Sequence, residues 1–188
     1  MLAERLAPEQ IAVLNAGISG ARLVHDKMGA KVADRLGRDV FDQAGVRTMI
    51  GLIEINDIAW PGTEFAPRDL AVRIADLMAG YRNCAARAHA RGVRVIAAAL
   101  TPFEGALPDG PLHGYFSPAK DQRRQAINPW IRSSDLFDAV IDFDAVTRDP
   151  GHPVRLRADL DSGDHLHPND AGDRVMAGAI DLKTLLAN

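Results

Sequence analysis

Apolar residues along the chain fall into two patterns that alternate. Short runs rich in β-branched residues, at 11–15, 47–53, 93–100 and 139–142, predict strands buried on both faces, since such strands read as continuous apolar stretches. Between them, apolar positions recur every three or four residues, which lines one side of a helix for packing. Val32, Leu36 and Val40 predict a helix over 31–41, and Leu70, Ile74, Leu77, Met78 and Tyr81 a longer one over 67–91. Gly45 and Gly92 stand where helix-ending glycines belong. The prolines and glycines of 101–118 predict a surface loop, and a helix follows over about 119–133, interrupted or restarted at Pro129. A last helix spans 168–186, with Asn169 or Asp170 near its start and Val175, Met176, Ile180 and Leu185 as its buried stripe. Leu2 and Leu6 read as the last turns of an amphipathic helix, so the chain opens inside an element.

Strands alternating with helices predict an α/β protein with a largely parallel sheet. No linker or internal repeat divides the 188 residues, which predicts one domain over 1–188. Composition narrows the partner. A content of 47% hydrophobic and 25% charged residues is that of a soluble globule, and the net charge of −3 is interspersed rather than blocked. That argues against a nucleic-acid or anionic-membrane partner and for a small molecule. The single cysteine, Cys84, allows no internal disulfide and reads as a core residue. No apolar run is long enough to span a bilayer, and Met1 to Pro8 lacks the basic-then-apolar order of a secretion signal, so the location stays open.

In an open parallel sheet, ligands gather outside the carboxyl ends of the strands, so the loops there are the candidates for chemistry. Asn15-Ala16-Gly17-Ile18-Ser19-Gly20 follows the first predicted strand, and its two glycines let a backbone amide approach a ligand oxygen; a plain strand-to-helix turn explains it as well. Glu54-Ile55-Asn56-Asp57 follows the second, where Asn56 can offer its side-chain NH₂ to a developing oxyanion and Asp57 can anchor a loop; an Asx turn is the alternative. Asp161-Ser162-Gly163-Asp164-His165-Leu166-His167-Pro168-Asn169 leads into the last helix. An acid three residues before a histidine can hold the imidazole by one nitrogen and leave the other as a general base. Two other readings apply to that loop, a metal site using Asp161, Asp164, His165 and His167, and a helix cap.

Taken in order, these loops resemble the conserved blocks of the SGNH hydrolases, also called GDSL esterases and lipases. Gly45-Val46-Arg47-Thr48, Ile55-Asn56-Asp57-Ile58, Thr101-Pro102-Phe103, Arg124-Gln125-Ala126-Ile127-Asn128 and Trp130-Ile131-Arg132 extend the likeness over nearly the whole chain. The resemblance implies a three-layer α/β/α sandwich with a flavodoxin-like parallel sheet, no metal or organic cofactor, and a small-molecule ester as substrate. It implies His167 as general base, Asp164 as its orienting acid, and Gly20 N–H with the Asn56 side chain as oxyanion-hole donors.

Two departures accompany it. The family's nucleophile lies in a Gly-Asp-Ser block after its first strand, and none of the five serines, Ser19, Ser117, Ser133, Ser134 and Ser162, follows Gly-Asp. The chain therefore reads as an N-terminally truncated member lacking the nucleophile and missing or replacing the family's first strand. It is then an ester hydrolase by lineage, or a non-catalytic binding or oligomerising module that pairs through an exposed sheet edge as a homodimer. The second departure is Glu54, standing where the family has glycine, which is expected to displace Asn56 because a buried, unpaired carboxylate is costly.

Overall fold

The computed structural model describes residues 1–187, and Asn188, the last residue of the expected domain, lies outside the described residues. At the centre, β1 (Thr48–Gly51), β2 (Arg94–Ala98) and β3 (Ala139–Ile141) form a parallel sheet in that order, with Met49 opposite Val95 and Ile96 opposite Ala139. The helices are α1 (Leu2–Leu6), α2 (Val32–Leu36), α3 (Ile55–Ala59), α4 (Ile74–His89), α5 (Pro118–Ser133), α6 (Phe143–Thr147), α7 (Asp170–Ala179) and α8 (Leu182–Leu186). A short antiparallel hairpin, β4 (Arg148–Asp149) and β5 (His152–Leu156), follows α6.

The pleat of β2 sorts the helices into layers. Val95 and Ala97 point into a core with Leu36 of α2, Leu77, Tyr81 and Cys84 of α4, and Ile127 and Ile131 of α5. Ile96 and Ala98 point the other way, toward Leu6 of α1, Phe143 of α6, Ile180 at the end of α7 and Leu185 of α8. The expected three-layer α/β/α arrangement results. Cys84 is a core residue, and burial pushes its thiol up to about 11.

Several elements differ from expectation. Residues 11–15 are not a strand but irregular chain with Ile11, Val13 and Leu14 exposed. A parallel strand exists only through its neighbours, and among the described residues nothing pairs with the free edge of β1. The helix over 31–41 is a single α-helical stretch, α2, running into a π-helical turn at Gly37–Phe41. The helix over 67–91 begins only at Ile74, because the preceding segment closes on itself through Gly62 N–H to Ala66 O and Asp69 N–H to Ala66 O, which leaves Leu70 exposed. The last helix breaks at Ile180, and Asp181 starts α8 afresh by accepting from Thr184 N–H at 2.9 Å.

The segment 101–118 is less superficial than its prolines and glycines predict. Phe103, Ala106 and Tyr115 are buried and form a third apolar cluster with Ala59, Trp60 and Ala66. Pro129 neither ends nor restarts α5, which continues through it to Ser133. Asn128 fastens that helix to the end of β2, exchanging hydrogen bonds of 2.9 Å with the backbone of Leu100. Among the described residues no helix is long and apolar enough to cross a membrane.

Candidate active site

The loop before α7 is built around two aspartates. Asp164 accepts from the backbone amides of Leu166 (2.9 Å) and His167 (2.8 Å), from Ser162 Oγ (3.0 Å) and from the His167 ring at Nδ1 (2.6 Å). Partial burial opposes the charge on Asp164, but those bonds outweigh it and hold the carboxyl well below the usual carboxylate range. A carboxylate on Nδ1 fixes the tautomer that leaves Nε2 unprotonated and able to accept. The His167 side chain is 65% exposed, so that nitrogen faces solvent.

Asp161 does the same for its neighbour. It accepts from Gly163 N–H and His165 N–H and from His165 Nδ1 at 2.5 Å, which holds His165 in the left-handed region at φ 61°. Each carboxylate is thus paired with its own imidazole. Among the described residues no group of three His, Cys, Asp or Glu side chains is arranged to hold a metal ion. The helix-cap role falls to Asn169, whose Oδ1 accepts from Ala171 and Gly172 N–H.

Asn56 is tied to the Gly20 loop through Ala21, the residue after Gly20. Gly20 has φ 72°, and a side chain there would lie 2.8 Å from Met28 Sδ and 2.9 Å from the Trp60 ring, so glycine is required on both counts. Asn56 sits in α3, where its Nδ2 donates to Ala21 O at 3.0 Å and its Oδ1 accepts from Tyr115 Oη at 2.8 Å. Asp57, fully buried, anchors the Gly20 loop from the next position, accepting from Leu23 N–H (2.5 Å), Val24 N–H (3.3 Å) and His25 Nδ1 (3.0 Å).

Glu54 takes φ 84° as the residue leading into α3, and its carboxyl is wholly buried. Burial raises that carboxyl well above the ordinary range, and the Asp57 charge adds to the rise. No donor stands in hydrogen-bonding geometry to either Glu54 oxygen.

The two halves of the site share the third apolar cluster. Leu166, between Asp164 and His167, and Leu107 pack on the cluster that holds Trp60 and Tyr115, and Leu107 N–H donates to Asp164 O at 2.9 Å. Tyr115 joins the site from outside the three loops that carry its other polar groups. Its bond to Asn56 spans 59 positions and leaves no trace in local spacing.

The serines are disposed otherwise. Ser117 caps α5 by accepting from Lys120 N–H, Ser133 donates to Pro129 O, Ser134 accepts from Leu136 N–H and Ser162 donates to Asp164. Ser19 lies exposed beside Gly20. None of the five hydrogen-bonds His167.

Solved structures share this fold. A GDSL-like lipase from Bacteroides thetaiotaomicron superposes with a TM-score of 0.61 at 18% identity, covering 83% of this chain and 70% of its own. The acetyl xylan esterase AlAXEase gives 0.64 at 16% identity over 95% and 85%. Axe2, an acetylxylan esterase from Geobacillus stearothermophilus, gives 0.60 at 22% identity over 100% and 78%. A comparison with curated protein sequences returns no match. The family described as GDSL-like Lipase/Acylhydrolase matches residues 1–180, and the chain belongs to that family of ester hydrolases.

Proposed function

We propose that this site acts on carboxylic esters by acyl transfer, with His167 as general base, Asp164 orienting it, and Gly20 N–H and Asn56 Nδ2 receiving the oxyanion of the tetrahedral intermediate. The observation that carries the reading is the 2.6 Å bond from His167 Nδ1 to a carboxylate held charged by backbone amides, with Nε2 left open to solvent. With no serine of this chain bonded to the base, the base takes the proton of an attacking water and later returns it to the leaving alcohol, and the acyl group departs as the carboxylic acid. Two donors aimed at one oxygen stabilise the charge between those steps.

The nucleophilic serine is not among the five in this chain. Four have their hydroxyls in local hydrogen bonds, and Ser19 sits in the oxyanion loop without a bond to the base. A triad lacking its nucleophile loses roughly 10⁶ in rate and keeps roughly 10³–10⁴ over water from the rest of the site. Acetylated carbohydrates are the first natural esters to test, since two of the similar structures are acetylxylan esterases.

The test is hydrolysis of an aryl acetate by the 188-residue chain. Slow turnover above buffer, reduced by roughly 10² or more in His167→Ala and leaving no acetylated serine, is the expected result. Turnover unchanged by His167→Ala removes the proposed base, and an acetylated serine trapped in the protein shows that one of the five is the nucleophile after all.

A second reading is a non-catalytic module that associates through its sheet. The free edge of β1 and the exposed apolar residues Ile11, Val13, Leu14 and Leu52 favour it.

A further inference from the structure

Tyr115 is almost wholly buried, yet its hydroxyl reaches one polar partner, Asn56 Oδ1 at 2.8 Å. Burial raises the phenol above its ordinary range and the nearby Asp164 carboxylate adds to the rise, so the hydroxyl keeps its proton and donates. Ala21 O accepts from the other end of the same amide, which settles which atom of Asn56 is nitrogen. An amide NH₂ has two donors and Ala21 takes one. The second N–H is therefore free, and its direction is set by bonds at both ends of the group.

The backbone around the tyrosine is fastened to the same helix independently. Lys120 Nζ donates to Gly114 O, one residue before Tyr115, and to Ala59 O at the end of α3, each at 2.6 Å. Phe103 meets the Tyr115 ring edge-on at 6.1 Å between centroids. The phenol thus has little freedom to swing away from Asn56.

We propose that Tyr115 is a positioning residue for the oxyanion donor, holding Asn56 so that its free Nδ2–H points at the ester oxygen. This rests on the ester-hydrolase reading above for its consequence, though not for its geometry. The bond also polarises the amide, since accepting at Oδ1 draws density from nitrogen and makes Nδ2–H the better donor. Without the hydroxyl, Oδ1 loses its partner and the amide turns about its last torsion.

The test is Tyr115→Phe, which keeps the ring and deletes the bond. In the NMR spectrum, the Asn56 side-chain amide protons, assigned by their loss in Asn56→Ala, move upfield and exchange with water roughly tenfold faster, about 1.4 kcal/mol of lost protection. Turnover of the aryl acetate falls by a similar factor in kcat with KM nearly unchanged, and Tyr115→Phe adds nothing on an Asn56→Ala background. Unmoved Asn56 amide protons in a folded Tyr115→Phe overturn the inference, as does a loss of rate that persists undiminished in Asn56→Ala. Should Tyr115→Phe not fold, the ζ-carbon resonance of labelled Tyr115 reports the same bond from the other side. It shifts in Asn56→Ala if the bond exists and stays put if it does not. A wild-type chain inactive on every ester counts against the ester-hydrolase reading, while the NMR comparison still decides Tyr115.

Discussion

Glu54 combines two costs at one position. Left-handed backbone is unfavourable for any residue with a Cβ by roughly 1–2 kcal/mol, and its carboxyl lies buried without a hydrogen-bond partner. Its acidity turns the second cost into a pH dependence. In the unfolded chain the carboxyl ionises near its ordinary value of 4.5, whereas in the folded chain it holds its proton to much higher pH. Between those two values the folded state binds more protons than the unfolded one, so stability falls as pH rises from about 4.5 and levels off above the folded-state value. Glu54→Gln keeps the volume and removes the titration. Its advantage over wild type should grow by up to ~1.4 kcal/mol per pH unit across that window, read from urea unfolding at a series of pH values. Parallel curves for the two proteins would place the Glu54 carboxyl in contact with solvent. The sequence already marks this residue as a carboxylate where the family has glycine. What spacing leaves hidden is how Asn56 is held, by a tyrosine and a carbonyl, Ala21 O, both remote in sequence.

Elements with a strong period were legible, and those that depend on partners were not. The core of α4 follows from its apolar stripe, whereas α5 fills its expected span but without the break expected at Pro129, which it absorbs because Ile127 and Ile131 on either side are fully buried. The Asp164–His167 pair was legible for the same reason, being a local spacing. The start of α7 shows how the loop and the helix support each other. Asn169 caps the helix through Oδ1 and donates from Nδ2 to Asp159 O at 3.1 Å and Asp161 O at 3.0 Å, bracing the loop that carries both aspartate–histidine pairs. Replacing a capping Asn by Ala costs ~1 kcal/mol, and the lost bracing adds to it. Asn169→Ala should therefore lower the urea midpoint by the equivalent of about 1–2 kcal/mol. Its effect on ester turnover should appear in kcat, through a less ordered His167. A midpoint equal to wild type would mean that the cap is redundant with the neighbouring Asp170.

At the scale of the molecule, a parallel sheet of three strands whose two outer strands, β1 and β3, have no further strand beside them among the described residues is an unusual end state. Purely parallel sheets are normally enclosed, and the free N–H and C=O groups along β1 present a template for another strand. The run 11–15 has the composition of a strand and lies unpaired, because a strand cannot be read from residues alone when its neighbour must complete it. Leu52 directly follows β1 and is 42% exposed, and Leu14 is 68% exposed, so both can carry a charge without disturbing the core. If the edge and the apolar run drive association, the wild-type chain should gain mass in light scattering across roughly micromolar to millimolar concentration. The double substitution Leu14→Lys with Leu52→Lys should remain monomeric over that range, because paired lysines on an edge repel a second copy. Its stability should stay within ~0.5 kcal/mol of wild type, as expected for exposed sites. A wild-type chain that stays monomeric throughout would remove the second reading of function, leaving the proposed Asp164–His167 base and Asn56 donor as the chemistry to test.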